Sequence, residues 1–334
     1  MVTARIALDA MGGDHAPRET VRGALEAIAQ DTDLAVVLVG QQDAIERELG
    51  GVHHERIEIV HAATVVAGGD AATDAVHKTD SSIYRAAQLV RSRACDGLVA
   101  AGNTGAAVAA ATVVIKLIPG VRRPGIAVGL PSAHGHAVMC DAGANLHCKP
   151  IHLFHYGILA AEYSRRMFGV KSPRVGLMNI GSEEGKGTAL LQETGALLAG
   201  VKHLNFIGNV EGNNIFNGSC DVVVCEGFVG NVILKASEGL NEMIFGRLSQ
   251  LARDIFGSDA QAAEGIRRFH GALDYEEHGG APLLGIDGLV LIAHGRSKAR
   301  PIKNALLQAT RLHRSGALAA MTADIAATQD GAHA

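Results

Sequence analysis

The sequence predicts an α/β protein in which a mostly parallel sheet is covered by helices on both faces, a three-layer αβα sandwich. Three observations carry this reading. Strand-like runs at 6–9, 34–40, 98–101, 126–130, 175–180, 205–208, 222–225 and 289–294 alternate with helical stretches, the pattern that threads a parallel sheet through flanking helices. Several runs are apolar at nearly every position, as strands are when helices bury both of their faces. The runs at 6–9, 98–101 and 175–180 each open into a glycine-bearing turn before a helix, the junction at which free N–H groups face an anion.

Taken in order, the first run ends in Asp9 and passes through Gly12, Gly13 and Asp14 to a helix opened by Pro17. The run at 98–101 meets Gly102-Asn103-Thr104-Gly105 and then an alanine-rich helix. That at 175–180 meets Gly181-Ser182-Glu183-Glu184-Gly185-Lys186-Gly187. Over 234–256, Leu240, Ile244, Leu248, Leu251 and Ile255 recur at helical spacing while Glu238, Asn241, Glu242, Arg253 and Asp254 take other faces. This is an amphipathic helix, read as packing on its own core or a dimer partner in preference to a membrane surface. Gly257 breaks it, which leaves room for a protruding helical pair. No linker or fixed-period repeat divides the chain, so 1–315 is read as one domain. The alanine-rich segment 316–334 is read as a tail that frays or stays disordered.

Of the 334 residues, 48% are hydrophobic, 19% charged and only 4% aromatic, with no Trp, so the core must be aliphatic. Forty-one glycines against eight prolines, lying mostly at strand ends, indicate many tight turns. A net charge of -4, without basic stretches interleaved with aromatics, argues against nucleic acid. The five cysteines form no CxxC pair and fit a reduced, cytoplasmic protein. No apolar run approaches the roughly 20 residues that cross a bilayer, so any membrane contact is expected to be peripheral, at the inner face.

Several chemistries are excluded by spacing. A nicotinamide dehydrogenase is the default alternative for a glycine-rich α/β chain, yet GxGxxG follows no strand. A phosphate loop of the GxxxxGK[ST] type needs four residues between its glycines, whereas Gly181 and Gly185 enclose three. GxSxG and HExxH are absent, and His147, Cys148, His152 and His155 lack a zinc pattern; no metal is expected. His136 and Asp141 fit a loose HxxxxD acyltransferase pattern, but the stretch reads as a strand, where residues five apart face opposite ways. Asn103 and Thr104 either donate to phosphate or cap the next helix. Lys186, amid glycines, is able to reach an anion already held by backbone. Asp9 and Asp14 stand where an anion would be repelled and are read as orienting groups.

With IALDAMGGDHAP (6–17), AAGNTGA (100–106), DAGANLHCKP (141–150), NIGSEEGKG (179–187), NFIGNVEGNNIFNG (205–218), VVVCEGFVGNVILK (222–235), YEEHGGAPLLG (275–285) and LVLIAHG (289–295), the chain resembles the bacterial phosphate acyltransferases of phospholipid synthesis. A series of long motifs in family order is far more specific than one glycine pattern. The resemblance implies transfer of a long-chain acyl group from acyl carrier protein to inorganic phosphate, giving an acyl phosphate for the membrane glycerol-3-phosphate acyltransferase. It also implies a homodimer, no cofactor, and a Rossmann-like fold akin to isocitrate and isopropylmalate dehydrogenases and phosphotransacetylase. Glu226 stands where the family usually has Asp, and 67–79 lacks an expected proline and arginine, leaving Lys78 or His77 to substitute.

On this basis phosphate is the nucleophile, and positioning supplies much of the rate. Gly12, Gly13, Gly102, Asn103, Thr104 and Gly105 are expected to bind it together with Lys186. Asn145 or backbone N–H groups would meet the oxyanion, and His294 would assist the leaving group. Asp9, Asp14, Glu183, Glu226 and Asn231 would orient these groups, while Leu240, Ile244, Phe245 and Leu248 would make acyl or membrane contact. An acidic carrier protein needs a basic patch: Arg165, Arg166, Lys171 and Arg174, or Arg247, Arg253, Arg267 and Arg268. The competing readings are a dehydrogenase of similar fold and a non-catalytic scaffold or regulator of lipid synthesis.

Overall fold

The computed structural model describes residues 4–256, 260–273 and 279–330. The Gly257 breaker and the Tyr275–His278 start of the YEEHGG motif lie outside them, as does the Arg267 side chain. An 11-stranded sheet runs in the order β3-β2-β1-β4-β11-β10-β5-β6-β9-β7-β8. Its strands are β1 (Ala4–Asp9), β2 (Leu34–Gly40), β3 (Ile57–His61), β4 (Gly97–Ala101), β5 (Gly125–Ser132), β6 (Gly135–Cys140), β7 (Val175–Met178), β8 (Phe206–Val210), β9 (Val222–Val224), β10 (Ala281–Leu284) and β11 (Leu289–Ala293).

Helices cover both faces, α2 (Gln42–Leu49), α3 (Asp74–His77) and α7 (Ala189–Ala199) among them, so the three layers are as the alternating sequence dictates. One core gathers Ile6, Leu8, Val99 and Leu291 with residues of α1 (Arg18–Gln30), α6 (Pro150–Phe168), α11 (Ala299–Arg314) and α12 (Ala317–Asp330). The other gathers Ala7, Leu98, Val128, Leu130 and Met139 with α4 (Ser82–Arg91), α5 (Thr104–Ala110), α8 (Gly212–Phe216) and the first turns of α9 (Gly227–Phe256). Adjacent residues of each strand thus feed opposite cores, as the period of two requires.

The feature with the most consequence for the site is the antiparallel β5–β6 hairpin, paired from Ala127↔Cys140 to Ser132↔Gly135. It reverses the chain. Strands β1 to β5 and β11 run one way, and β6 to β10 run the other. The loops after β1, β4 and β11 therefore leave at one rim of the sheet, here the upper, and those after β6, β7 and β9 at the opposite, lower rim.

Two expectations change. Segment 316–334 was expected to fray, yet Ala317–Asp330 forms a helix packed on α6, with Ala317, Met321 and Ile325 buried. Its alanines let it lie close to its neighbour, and three apolar residues at helical spacing suffice to anchor it. The apolar stripe of α9 does not pack on its own core: Leu240, Ile244, Leu251 and Ile255 are exposed, and α9 instead pairs with α10 (Ala260–Leu273). Among the described residues, no helix is long and apolar enough to cross a membrane.

Candidate active site

At the upper rim three loops meet backbone to backbone. Asp14 N–H donates to the Gly295 carbonyl at 2.8 Å, tying the first turn to the loop after β11. A Cβ on Gly12 would stand 2.2 Å from the Ala101 carbonyl oxygen at the end of β4. Only glycine fits there, because the obstacle is backbone and has nowhere to move. Gly102, at φ 106°, would press a Cβ to 2.8 Å from Gly13 N. The sequence thus places glycine wherever these turns touch.

Onto this platform the structure brings Asn103, Thr104, Gly105, Asp9, Asp14 and His294. Asn103 Oδ1 accepts from Ala106 N–H at 2.9 Å and caps α5, while its Nδ2 donates to the Asp70 carbonyl at 2.9 Å and toward those of Ala67 and Gly68. The side chain expected either to cap or to bind phosphate is therefore a cap that also ties the loop at 67–70 to the site. Thr104 and Gly105 are exposed at the start of α5, where N–H groups have no intrahelical acceptor. His294 is exposed, and its Nδ1 accepts from Arg296 N–H at 3.3 Å. In the neutral ring that bond leaves the proton on Nε2, which is then the ring's hydrogen-bond donor.

Asp9 lies beneath Gly12, only 5% exposed, accepting from Met11 N–H at 3.2 Å. Burial pushes its carboxyl up to about 6, since desolvation disfavours the charged form. Lys78, offered above as a phosphate ligand in the divergent segment, pairs with Asp70 at 2.8 Å and Asp74 at 3.4 Å. Its charge is already matched within the loop.

The remaining site residues gather at the lower rim. Asp141, fully buried, accepts from the backbone N–H groups of Ile126, Gly143, Ala144 and Asn145 and from Asn145 Nδ2. Burial pushes its carboxyl up and these donors pull it back. Asn145, expected to meet an oxyanion, spends its Nδ2 on the Pro124 carbonyl at 2.6 Å, Asp141 at 3.0 Å and Tyr156 Oη at 2.8 Å. With its donors occupied it acts as a brace. Glu226 and Asn231 flank this brace at the start of α9, where a Cβ on Gly227 would stand 2.5 Å from the Asn145 carbonyl oxygen. Sequence reasoning met Asp141 only as the end of the HxxxxD match and gave it no role in the site, although it opens the DAGANLHCKP motif.

Beyond β7, Asn179 folds the glycine loop by donating from Nδ2 to the Lys186 carbonyl at 3.1 Å, and Asn209 Nδ2 holds the Glu183 carbonyl at 3.0 Å. Lys186 is exposed, and among the described residues no carboxylate pairs with it. Lys186 and Asn103, expected to hold one phosphate, follow strands that end at opposite rims, six strand spacings apart in the sheet order, and among the described residues no hydrogen bond or ion pair joins the two sets. The hairpin that reverses strand direction is the reason.

The 11-stranded, mostly parallel sheet with glycine turns at its strand ends defines an α/β fold, and comparison of the whole structure finds the same fold in phosphotransacetylases. A phosphotransacetylase from Streptococcus pyogenes matches with TM-score 0.64 at 16% identity, covering 92% of this chain and 94% of that one. A branched-chain phosphotransacylase from Enterococcus faecalis matches with TM-score 0.58 at 13% identity, covering 93% and 99%. These likenesses establish the fold. The family follows from the sequence: residues 4–320 match the model of a family described as fatty acid synthesis protein, and the chain belongs to it. Proteins named phosphate acyltransferase are similar along nearly the whole length. That of Dictyoglomus turgidum is 45% identical, covering 92% of this chain and 94% of its own, and that of Desulforamulus reducens 47% identical, covering 90% and 91%. Membership places the chain among the acyltransferases of fatty acid and phospholipid synthesis.

Proposed function

We propose that the chain transfers a long-chain acyl group from acyl carrier protein to inorganic phosphate, and that phosphate sits at the upper rim. The observation that carries this placement is the convergence of the loops after β1, β4 and β11, with Gly12 pressed against the Ala101 carbonyl. Exposed N–H groups at Thr104 and Gly105 supply donors, Gly12, Gly13 and Gly102 allow close approach, and Asn103 fixes the loop that presents them. A phosphate oxygen attacks the thioester carbonyl, the C–S bond breaks, and the sulfur leaves as a thiolate that accepts a hydrogen bond from His294 Nε2–H. No protein nucleophile is involved, in keeping with the missing GxSxG.

The carrier is acidic, and the geometry favours one of the two basic patches. Arg165 and Arg166 pair with Glu162, and Arg174 forms a two-point pair with Asp221, so these charges are matched internally. Arg247 and Arg253 on α9 form the better dock, with Arg268 on α10 paired to Glu264 at 3.0 Å, and the exposed Leu240 and Ile244 nearby suit peripheral contact with the membrane, where the product is handed on. The chain works as a homodimer. Purified protein given carrier-protein thioester and phosphate should form acyl phosphate, trapped with hydroxylamine as the hydroxamate. No product over a range of chain lengths would sink the reading, and nicotinamide binding without turnover would favour a dehydrogenase.

A further inference from the structure

A cavity of about 310 Å³ opens between the β5–β6 turn, α8 and α9, with Leu130, Ala133, Phe216 and Leu234 among its walls. It lies on the same face as α5, because Leu130 and Leu234 share a core with Ala106 and Ala107. It also lies at the same rim, since β5 ends there, three strands from β4, roughly 14 Å through the sheet. Two of its lining oxygens, Ser132 Oγ and Glu238 Oε1, are buried without a hydrogen-bond partner. The other Glu238 oxygen accepts from Lys235 Nζ at 2.8 Å, which holds the carboxylate in place.

Hydrocarbon filling this cavity would seal an unpaired acceptor away from water, at a cost of roughly 1–3 kcal/mol. A mostly aliphatic ligand carrying N–H groups would cover the apolar walls and satisfy Glu238 together. We propose that the cavity seats the amide-bearing pantetheine arm of the thioester donor, with its sulfur end directed toward Asn103 and Thr104. This rests on the acyl-transfer reading above. An extended amide chain covers roughly 3.5 Å per residue-sized unit, so about four such units bridge the distance. Carrier protein and coenzyme A present the same arm, and the cavity recognises what they share.

The test compares acyl carrier protein, acyl-coenzyme A and acyl-pantetheine thioesters of one chain length on wild type, Glu238→Leu, Glu238→Gln and Ala133→Phe. Glu238→Leu and Ala133→Phe should raise KM about tenfold for every donor and leave KM for phosphate unchanged. Glu238→Gln, which keeps an acceptor oxygen, should recover most of that loss. Free pantetheine should compete with the donor on wild type and lose that effect on Glu238→Leu. A shift in chain-length preference with donor KM unaltered would overturn the proposal by placing the hydrocarbon in the cavity, and so would no change in either. Turnover with coenzyme A thioester alone would refute the carrier-protein donor, and a KM for that thioester unchanged by Glu238→Leu would overturn the cavity as well. If no donor is turned over, the acyl-transfer reading fails, and direct titration of pantetheine into wild type and Glu238→Leu still decides the cavity.

Discussion

The two rims carry comparable motifs and dispose of their polar groups in opposite ways. At the lower rim, Asp141 is fully buried within five donors and Asn145 has all its amide hydrogens engaged. At the upper rim, Thr104 and His294 face solvent, and the tightest contacts are made by glycine backbone. A polar network satisfied by the protein itself stiffens a fold, whereas donors left open on a rigid platform have work to do on a ligand. Asn145 and Asn103 look alike as sequence, each in a glycine-rich turn. Their partners assign one to bracing and the other to a loop bordering the candidate phosphate.

The largest expected effect tests the lower rim as a brace. A Cβ on Gly230 would lie 1.9 Å from the Asp141 carbonyl oxygen, so Gly230→Ala must push α9 off the loop it holds. Overpacking of this kind costs about 3 kcal/mol, read by urea unfolding, while the folded fraction should keep its KM for phosphate. An unchanged midpoint would show that the lower rim gives way and is no brace. Next comes Asn103→Ala, which releases the 67–70 loop and the start of α5 and is expected to lower kcat/KM for phosphate about 100-fold by misplacing the donors there, with about 1 kcal/mol of stability lost through the missing cap. Loss of stability without loss of phosphate use would put the anion elsewhere.

Asp9 sharpens the comparison through pH. Its folded carboxyl is raised from 3.8 to about 6 by burial, so the folded state holds the proton more tightly than the unfolded chain. Stability from this group is present below pH 3.8, falls as pH rises through about 6, and is level above. Asp9→Asn should therefore stabilise the protein by about 3 kcal/mol at pH 8 and hardly at all near pH 4. Unfolding curves at the two pH values that shift equally would mean that Asp9 is not desolvated beneath the upper loops.

Much of this arrangement was legible in the sequence, and the remainder was hidden for definite reasons. Run 34–40 coincides with β2 because a strand buried on both faces is apolar throughout. Strand β3, IEIVH, lies next to only one neighbour and is half-buried, and β10, APLL, is short and begins beside a proline; neither carries that signature. The glycine turns were visible because close backbone approach admits one residue type. Strand direction was not: nothing in the run 126–130 or the strand-like 136–141 announces that the chain turns back and sends every later loop to the other rim. The amide of Asn145 was misread for a related reason, since its partners Pro124 and Tyr156 are 21 and 11 residues away.

The smallest expected effect concerns Lys186, which sequence alone ranked among the phosphate ligands. Its loop is folded by Asn179 and Asn209 without help from its ammonium group, so Lys186→Ala should leave the fold intact. Standing on the rim opposite Asn103, it should cost turnover less than tenfold, under about 1.4 kcal/mol, with KM for phosphate unmoved. A loss as large as that of Asn103→Ala, concentrated in KM for phosphate, would mean that the two rims serve one anion. If the lysine then comes from a second copy, mixing Lys186→Ala with an Asn103→Ala partner restores part of the activity; if both act within one chain, it does not. Without a loss of that size, the open donors of the upper rim act on phosphate alone.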